Sequence, residues 1–317
     1  MLGFPINDAQ LDDLLSTPSD ADRAALADVR EMIVIGAGGK MGPSLVARAR
    51  RAAPHANIVA VTRETCDLLD RQQVNALPDT ENVVFLAGRK FGSTGNEGLT
   101  WATNALVPAY VAERYPHARI VALSSGNVYP LTRHGATEQT PPAPAGEYAQ
   151  SVLARERVFE HFSARNGTRV ALLRLNYAVA LRYGVLLDIG QKVFARRPVS
   201  LAMGAVNVIW QGDANSVALR ALTLAVSPPF VLNLTGPETL RVRAIAERFG
   251  ELFGIAPLFE GEEAETALLN DASLCTHLMG PPQVSASEMI EMTAAWIRAG
   301  GSTLGKPTHF EVRDGKF

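Results

Sequence analysis

Apolar and polar positions along the first half of the chain follow two alternating patterns. Short apolar runs recur, and between several of them lie longer stretches with an apolar residue at every third or fourth position. A short apolar run bounded by turn residues is typical of a buried strand, and a period of 3.6 residues is typical of a helix. The predicted strands lie at 32–36, 58–62, 82–87, 119–124 and 169–175, and the predicted helices at about 42–53, 98–114 and 148–162. This alternation predicts an α/β fold with a doubly wound parallel sheet.

Beyond residue 178 the alternation becomes irregular, which indicates a second, smaller unit. Further strands are predicted at 206–210 and 230–234, and further helices near 186–197, 213–226, 239–254 and 286–299. Before the first strand, Ser19 is placed to cap a short helix, and this N-terminal arm is expected to be a packing or dimer element. The chain thus divides into a helical arm (residues 1–30), a main domain (residues 31–178 with return segments near 206–234), a subdomain (residues 179–205 with 235–300) and an extended tail (residues 301–317).

Composition and charge narrow the classes of partner. The 317 residues are 47% hydrophobic, with a formal net charge of −2 and a pI near 6.3. This balance gives no reason to expect nucleic acid or an anionic membrane as a partner, so small molecules are expected. No apolar run approaches 18 residues and the two cysteines form no CxxC pattern, so a cytoplasmic protein without disulfides is expected. The six histidines lack clustered ligand spacing, so no metal site is predicted.

The most informative motif is a glycine-rich turn between the first strand and the helix that follows it. Glycines there allow a tight turn and a close approach of the backbone to phosphate groups, which bind at a helix N-terminus. The spacing of Gly36, Gly39 and Gly42 is GxxGxxG, whereas many dehydrogenases have GxGxxG, of which Gly36 and Gly38 satisfy the first half. The turn predicts dinucleotide binding. The residues predicted to bind it here are Gly36, Gly38, Gly39, Lys40, Met41 and Gly42.

The end of the second strand indicates which dinucleotide is bound. An acidic residue at this place would bind the ribose 2′-hydroxyl of NAD, but the chain has Thr62 and Arg63 there. A hydroxyl followed by a guanidinium suits a 2′-phosphate, and Lys40 in the glycine turn could add positive charge. NADP is therefore favoured over NAD. In the alternative, both cations are ordinary solvated side chains and NAD binds without an acidic contact.

Four motifs together resemble one family. They are the glycine turn, SerSerGlyAsnValTyr at 124–129, the predicted helix with Tyr148, and ArgLeuAsnTyr at 174–177. In these motifs the chain resembles the extended branch of the short-chain dehydrogenase/reductase superfamily, which contains sugar epimerases and dehydratases, over roughly residues 31–300. The resemblance implies a Rossmann-like main domain that binds NAD(P), a C-terminal substrate-binding α/β subdomain, and a homodimer.

The resemblance also implies roles for individual residues. Ser125, with Ser124 as the runner-up, would hydrogen-bond the substrate oxygen, and Tyr148 would exchange a proton with it. Further cofactor contacts would come from Asp67, Leu68, Ala87, Gly88, Lys90 and Tyr148, and further substrate contacts from Asn127, Asn176 and Arg182. Asn176 and Arg182 could equally be core or loop side chains. Lys90 could equally be a solvated loop side chain. Asn104 matches an asparagine that braces the central strand.

One position departs from the family pattern. The family motif is TyrxxxLys, but Val152 stands where the lysine belongs. That lysine binds the nicotinamide ribose and favours the ionised tyrosine through its positive charge. Arg155 lies seven residues after Tyr148, on about the same helical face, and could supply charge, although a surface arginine is the favoured interpretation. An enzyme with a substitute group, a slow or different reaction, and a cofactor-binding protein without turnover are the three possibilities, of which the first is preferred.

The sequence finally narrows the substrate. Nucleotide-sugar members carry an arginine, which binds a diphosphate, seven residues before the aspartate that opens a later helix. Counting back from Asp213 gives Val206, and this difference argues against a diphosphate-linked sugar as the substrate. We therefore predict an NAD(P)-dependent oxidoreductase or epimerase that acts at a secondary alcohol or ketone of a small polar substrate, such as a polyol, sugar acid or hydroxycarbonyl compound. The alternatives are a nucleotide-sugar epimerase or dehydratase and a non-catalytic NAD(P)-binding regulatory or interaction protein.

Overall fold

The computed structural model describes residues 4–90, 92 and 94–316. The strands are β1 Glu31–Ile35, β2 Asn57–Val61, β3 Asn82–Phe85, β4 Arg119–Ser125, β5 Arg169–Leu175, β6 Ala178–Val179, β7 Val199–Ser200, β8 Ala205–Val206, β9 Ile209–Trp210, β10 Phe230–Leu234, β11 Leu240–Arg241 and β12 Phe259–Glu260. The helices are α1 Asp8–Ser16, α2 Asp20–Ala25, α3 Gly42–Ala52, α4 Arg71–Asn75, α5 Glu97–Trp101, α6 Val107–Arg114, α7 Gly146–Asn166, α8 Val185–Phe194, α9 Gln211–Arg220, α10 Val242–Phe253, α11 Ser273–Met279 and α12 Ala286–Arg298.

Six strands form a parallel sheet in the order β2-β1-β3-β4-β5-β10. Successive side chains of a strand face opposite sides, so Val34 packs toward α3 and α9 while Ile33 and Ile35 pack toward α6 and α7. Helices cover both faces, which confirms the predicted Rossmann-like doubly wound sheet. The direction of strand order reverses between β1 and β3, and ligands of such sheets bind at the carboxyl ends of the strands beside this reversal.

A second core lies outside this sheet. Its apolar side chains come mainly from α1, α8, α10 and α12, and Phe249 and Trp296 are its largest fully buried members. Phe310 of the tail belongs to the same core. The N-terminal arm is fastened by Asp22, whose carboxylate lies 2.7 Å from the guanidinium of Arg48 on α3, with both groups buried. The arm therefore packs on the main domain, which is one of the two roles expected for it.

Local signals account for the element ends. Ser19 caps α2 as predicted, and its hydroxyl accepts a hydrogen bond from the Asp22 amide. The helix predicted over 98–114 is interrupted by a π-helical turn at Ala102–Leu106. Residues 301–316 of the predicted tail form no regular strand or helix. Within the described part of the chain, no helix combines the length and apolar character needed to cross a membrane.

Candidate active site

The glycine turn connects β1 with α3 and packs against the segment that follows β3. Gly36 has φ +86°, and a β-carbon there would lie 2.6 Å from the backbone nitrogen of Ala87, so only glycine fits. A β-carbon on Gly42 would lie 2.2 Å from the Ala37 carbonyl oxygen, which explains the close packing at the start of α3. The side chain of Met41 is buried in the core, so only its backbone can face a ligand. The turn presents the N-terminus of α3 at the strand-order reversal.

The residues around this turn fit a dinucleotide. The Thr62 hydroxyl oxygen at the end of β2 is buried and has no hydrogen-bond partner in the structure. The side chain of Thr62 lies beside Gly38, and that of Arg63 is exposed next to it. A buried hydroxyl without a partner is costly unless a ligand satisfies it. The orphaned hydroxyl and the glycine turn together form a suitable cradle for the ribose and phosphates of NAD(P).

The two serines at the end of β4 point to different partners. Ser124 donates a hydrogen bond to the buried carboxylate of Glu156, on the opposite side of the strand from its neighbour. The Ser125 hydroxyl accepts a hydrogen bond from the backbone amide of Asn127 at 3.2 Å and lies within hydrogen-bonding reach of Tyr148. Strand alternation thus separates the two hydroxyls and brings Ser125, the first candidate, to Tyr148.

Tyr148 lies in the first turn of α7, beside the carboxyl end of β4. Burial raises the pKa of its phenol above the usual value of about 10, while the hydrogen bond from Ser125 and the charge of Arg155 act to lower it. The Lys90 ammonium lies 5.8 Å from the centre of the Tyr148 ring. A protonated phenol therefore stands beside a serine hydroxyl and a lysine, an arrangement that can donate a proton to a carbonyl oxygen.

The place of the missing lysine is apolar. Val152 is 1% exposed and packs with Val128, Tyr129 and Ala136. No charge from this position can reach Tyr148.

Arg155, one turn further along α7, is 5% exposed, so the surface interpretation was wrong. Its Nη1 donates to the Leu123 carbonyl at 2.5 Å and its Nη2 donates to Asn104 Oδ1 at 2.9 Å. Asn104, in the π-helical turn, also donates to the Ser151 hydroxyl at 2.9 Å and so contacts α7 at two positions. Burial lowers the pKa of Arg155 to about 10, which still leaves it charged at neutral pH.

Two lysines lie close to each other at this edge of the sheet. Lys40 Nζ donates to the Ala178 carbonyl at 2.8 Å and lies 4.0 Å from the centre of the Tyr183 ring. It is therefore directed toward the segment after β5, which does not support its predicted role of adding charge beside Arg63. Burial and the charge of Lys90 lower the pKa of Lys40 to about 7, and burial lowers the pKa of Lys90 to about 8. Lys90 is thus no solvated loop side chain.

The two predicted substrate contacts after β5 have protein partners. The buried amide of Asn176 donates to Asn207 Oδ1 at 2.8 Å and to the Leu268 carbonyl at 3.1 Å. Arg182 forms ion pairs with Asp8 and Asp12 of α1. Both side chains connect segments of the protein, and their contact with a substrate stays a prediction.

A buried polar network, which was not predicted from the sequence, lies beneath the candidate active site. The carboxylate of Glu156 accepts hydrogen bonds from Arg174 at 2.7 and 3.0 Å, and Arg174 also donates to the Tyr129 hydroxyl at 2.7 Å. Tyr129 in turn donates to Asn233 Oδ1 at 2.9 Å. The only sign of this network in the sequence is the presence of charged residues within apolar runs. The network holds β4, β5, β10 and α7 in register beneath Ser125 and Tyr148.

Within the described ranges, no group of three or more His, Cys, Asp or Glu side chains could hold a metal ion. The other predicted cofactor contacts, Asp67, Leu68, Ala87 and Gly88, lie after β2 and β3. The Asp67 carboxylate accepts a hydrogen bond from the Leu69 amide at 3.0 Å. These positions are compatible with the predicted contacts.

Comparison with known proteins agrees with this geometry. A search of curated proteins gives no match. Three solved structures share the fold over nearly their whole length. They are UDP-glucose 4-epimerase of Thermus thermophilus with NAD (20% identity, 84% of this chain and 99% of that chain, TM-score 0.69), RMD from Pseudomonas aeruginosa with NADPH (19%, 84% and 99%, 0.71) and dTDP-4-dehydrorhamnose reductase from Bacillus anthracis with NADP (16%, 85% and 98%, 0.67).

A family model described as "NAD dependent epimerase/dehydratase family" matches residues 32–183, which include the glycine turn, Ser125 and Tyr148. Over residues 32–183 the chain is therefore similar to the NAD-dependent epimerase/dehydratase family, and its Rossmann-like fold is shared with these solved structures.

Proposed function

We propose that the protein is an NAD(P)-dependent oxidoreductase or epimerase that acts at a secondary alcohol or ketone of a small polar substrate. The observation that carries this proposal is the pairing of Ser125 and Tyr148 beside the glycine turn at the strand-order reversal. A bound nicotinamide would supply hydride chemistry. Ser125 would hold the reacting oxygen of the substrate, and Tyr148 would give that oxygen a proton on reduction or remove one on oxidation.

Turnover on a defined panel tests this function. The panel contains polyols, sugar acids and hydroxyketones, together with UDP-glucose because a nucleotide-sugar epimerase or dehydratase is the alternative. NAD(P)H absorbance reports net redox turnover, and NMR of the products reports epimerisation. Turnover restricted to UDP-glucose would replace the small-substrate proposal. A homodimer remains a prediction from the family resemblance, and a cytoplasmic location remains one from the cysteine pattern and the apolar runs.

The non-catalytic alternative rests on the apolar surroundings of Val152. It requires tight NAD(P) binding, no turnover with any member of the panel, and a Tyr148→Phe variant that keeps its biological activity. An enzyme instead loses both turnover and biological activity in that variant, so the two hypotheses give opposite results.

We further propose that NADP is the preferred dinucleotide, because Thr62 and Arg63 stand where NAD enzymes place an acidic residue. The unsatisfied Thr62 hydroxyl and the exposed Arg63 guanidinium suit a 2′-phosphate. Calorimetry is expected to show NADP binding at least ~10-fold more tightly than NAD, since a charge-assisted hydrogen bond is worth about 1.5–3 kcal/mol. Arg63→Ser should remove most of this difference and leave NAD affinity unchanged. Tighter binding of NAD by the unaltered protein would contradict the proposal.

Arg155 is proposed to supply the positive charge that the motif lysine would have given. Since this charge acts to lower the pKa of Tyr148, Arg155→Met should raise that pKa and move the pH profile of the oxidation rate upward. If the pKa of Tyr148 rises by about one, the phenolate fraction falls ~10-fold, and the rate on the rising limb falls with it. Arg155→Lys should move the profile less, and adding Val152→Lys to Arg155→Met should move it back.

Arg157→Met is the matched control, because Arg157 lies on the same helix but is exposed and paired with Glu160. It should leave the pH profile in place. A destabilised Arg155→Met enzyme with an unchanged pH profile would give Arg155 a purely structural role.

A further inference from the structure

The C-terminal tail, residues 302–316, crosses the subdomain and ends at the start of α7. Thr308 donates two hydrogen bonds to Asp188 Oδ2 on α8, at 2.7 Å from its amide and 2.5 Å from its hydroxyl. Phe310 is 1% exposed within the second core. Gly315 packs against the backbone of Gly146, two residues before Tyr148. Anchors on both sides therefore hold the segment 311–314 in a defined position.

This segment closes one side of a small cavity of about 50 Å³. Asn127 and Tyr129, which follow β4, also line it, together with Tyr177 and Arg313. The backbone amide of Asn127 donates a hydrogen bond to the Ser125 hydroxyl. Because Asn127 lines the cavity, the cavity adjoins the candidate active site. A space of this size suits a small group at the end of a substrate, and the tail forms part of its wall.

Arg313 is half-buried in this wall and is held by neutral acceptors, three oxygens and, at 3.8 Å, the sulfur of Met203. Its Nη1 donates to the carbonyls of Thr266 at 2.6 Å and Ala202 at 3.1 Å, and its Nη2 donates to the Thr266 hydroxyl at 2.8 Å. The neighbouring carboxylates are paired elsewhere, Asp314 with Lys316 and Glu265 with Arg133. Among the residues that the structure describes, none forms an ion pair with Arg313.

We propose that Arg313 binds the carboxylate of a small acidic substrate whose alcohol or ketone reacts at Tyr148. This inference rests on the proposed function and narrows its substrate to hydroxy acids or keto acids. Neutral acceptors fix the orientation of the guanidinium without supplying a counter-ion, and a planar fork of donors recognises a carboxylate well. A polyol offers no charge to complement it.

Binding measurements test this independently of turnover. The probes are four acids, each with its neutral counterpart: D-gluconate and D-glucitol, D-glucuronate and D-glucose, D-glycerate and glycerol, L-lactate and propane-1,2-diol. Calorimetry is done on the full chain saturated with NADP. At least one acid is expected to bind ~10-fold or more tightly than its partner, and Arg313→Gln should remove that preference. Arg313→Lys should keep part of it. Lys306→Gln, which removes an exposed cation from the same tail, should keep all of it.

The inference is overturned if no acid binds more tightly than its neutral partner, or if a correctly folded Arg313→Gln retains the preference. Should Arg313→Gln fail to fold, the preference of the unaltered protein and that of Arg313→Lys still decide. Tyr148→Phe separates this inference from the proposed function, because it should bind the acid normally while losing turnover. Acid binding without turnover in the unaltered protein would refute the enzyme and keep the binding site; turnover of neutral substrates alone would do the reverse.

Discussion

Tyr148→Phe is expected to lower kcat/KM by about 10²–10⁴-fold, the contribution of a positioned general acid or base. The substitution removes only a hydroxyl, which lies beside Ser125 at the carboxyl end of β4. Cofactor affinity and thermal stability should therefore change little. Steady-state kinetics with the best substrate of the panel, together with calorimetry for NADP, measure both consequences.

Two other tyrosines serve as controls for this result. Tyr110→Phe, on α6, should leave kcat/KM unchanged. Tyr183 is more demanding, since its ring lies 4.0 Å from the Lys40 ammonium at the same edge of the sheet. A large loss in Tyr183→Phe combined with an active Tyr148→Phe would assign the proton transfer to Tyr183. If both variants stay active, Lys90 becomes the next candidate for the proton transfer.

The parallel sheet and the placement of Ser125 beside Tyr148 at its edge could be predicted from the sequence because local signals determine them. The apolar runs predicted the order of strands and helices, and the glycine turn marked where β1 ends. Strand alternation is also local, so placing Ser125 and Ser124 on opposite sides of β4 needs only the strand itself. Because Tyr148 lies in the first turn of α7 and parallel strands end at one edge of the sheet, its hydroxyl meets that of Ser125.

The contacts that could not be predicted from the sequence join distant segments. Arg182 pairs with Asp8, 174 positions earlier, and Asn176 contacts Leu268, 92 positions later. Arg155 was placed on the correct helical face, but its burial depends on Asn104 in a π-helical turn that no pattern in the sequence announces. Such contacts need the tertiary arrangement, which periodicity does not supply.

Arg174→Met is expected to lower the free energy of unfolding by about 3–5 kcal/mol, because it leaves the buried Glu156 carboxylate without its counter-ion. The side chains of Arg174 and Glu156 are 5% and 0% exposed. Burial opposes the charge of Arg174, but hydrogen bonds to Glu156 outweigh it and raise its pKa. Urea denaturation followed by circular dichroism measures the loss.

Arg157→Met on α7 breaks an exposed ion pair and should cost less than about 1 kcal/mol, which makes it the matched control. Combining Arg174→Met with Glu156→Leu should recover part of the stability, since an apolar pair can replace a buried ion pair at little cost. A loss below about 1 kcal/mol in Arg174→Met would mean that water or another cation reaches Glu156. Because the same carboxylate accepts the Ser124 hydrogen bond, the network would then no longer explain why β4 holds Ser125 against Tyr148.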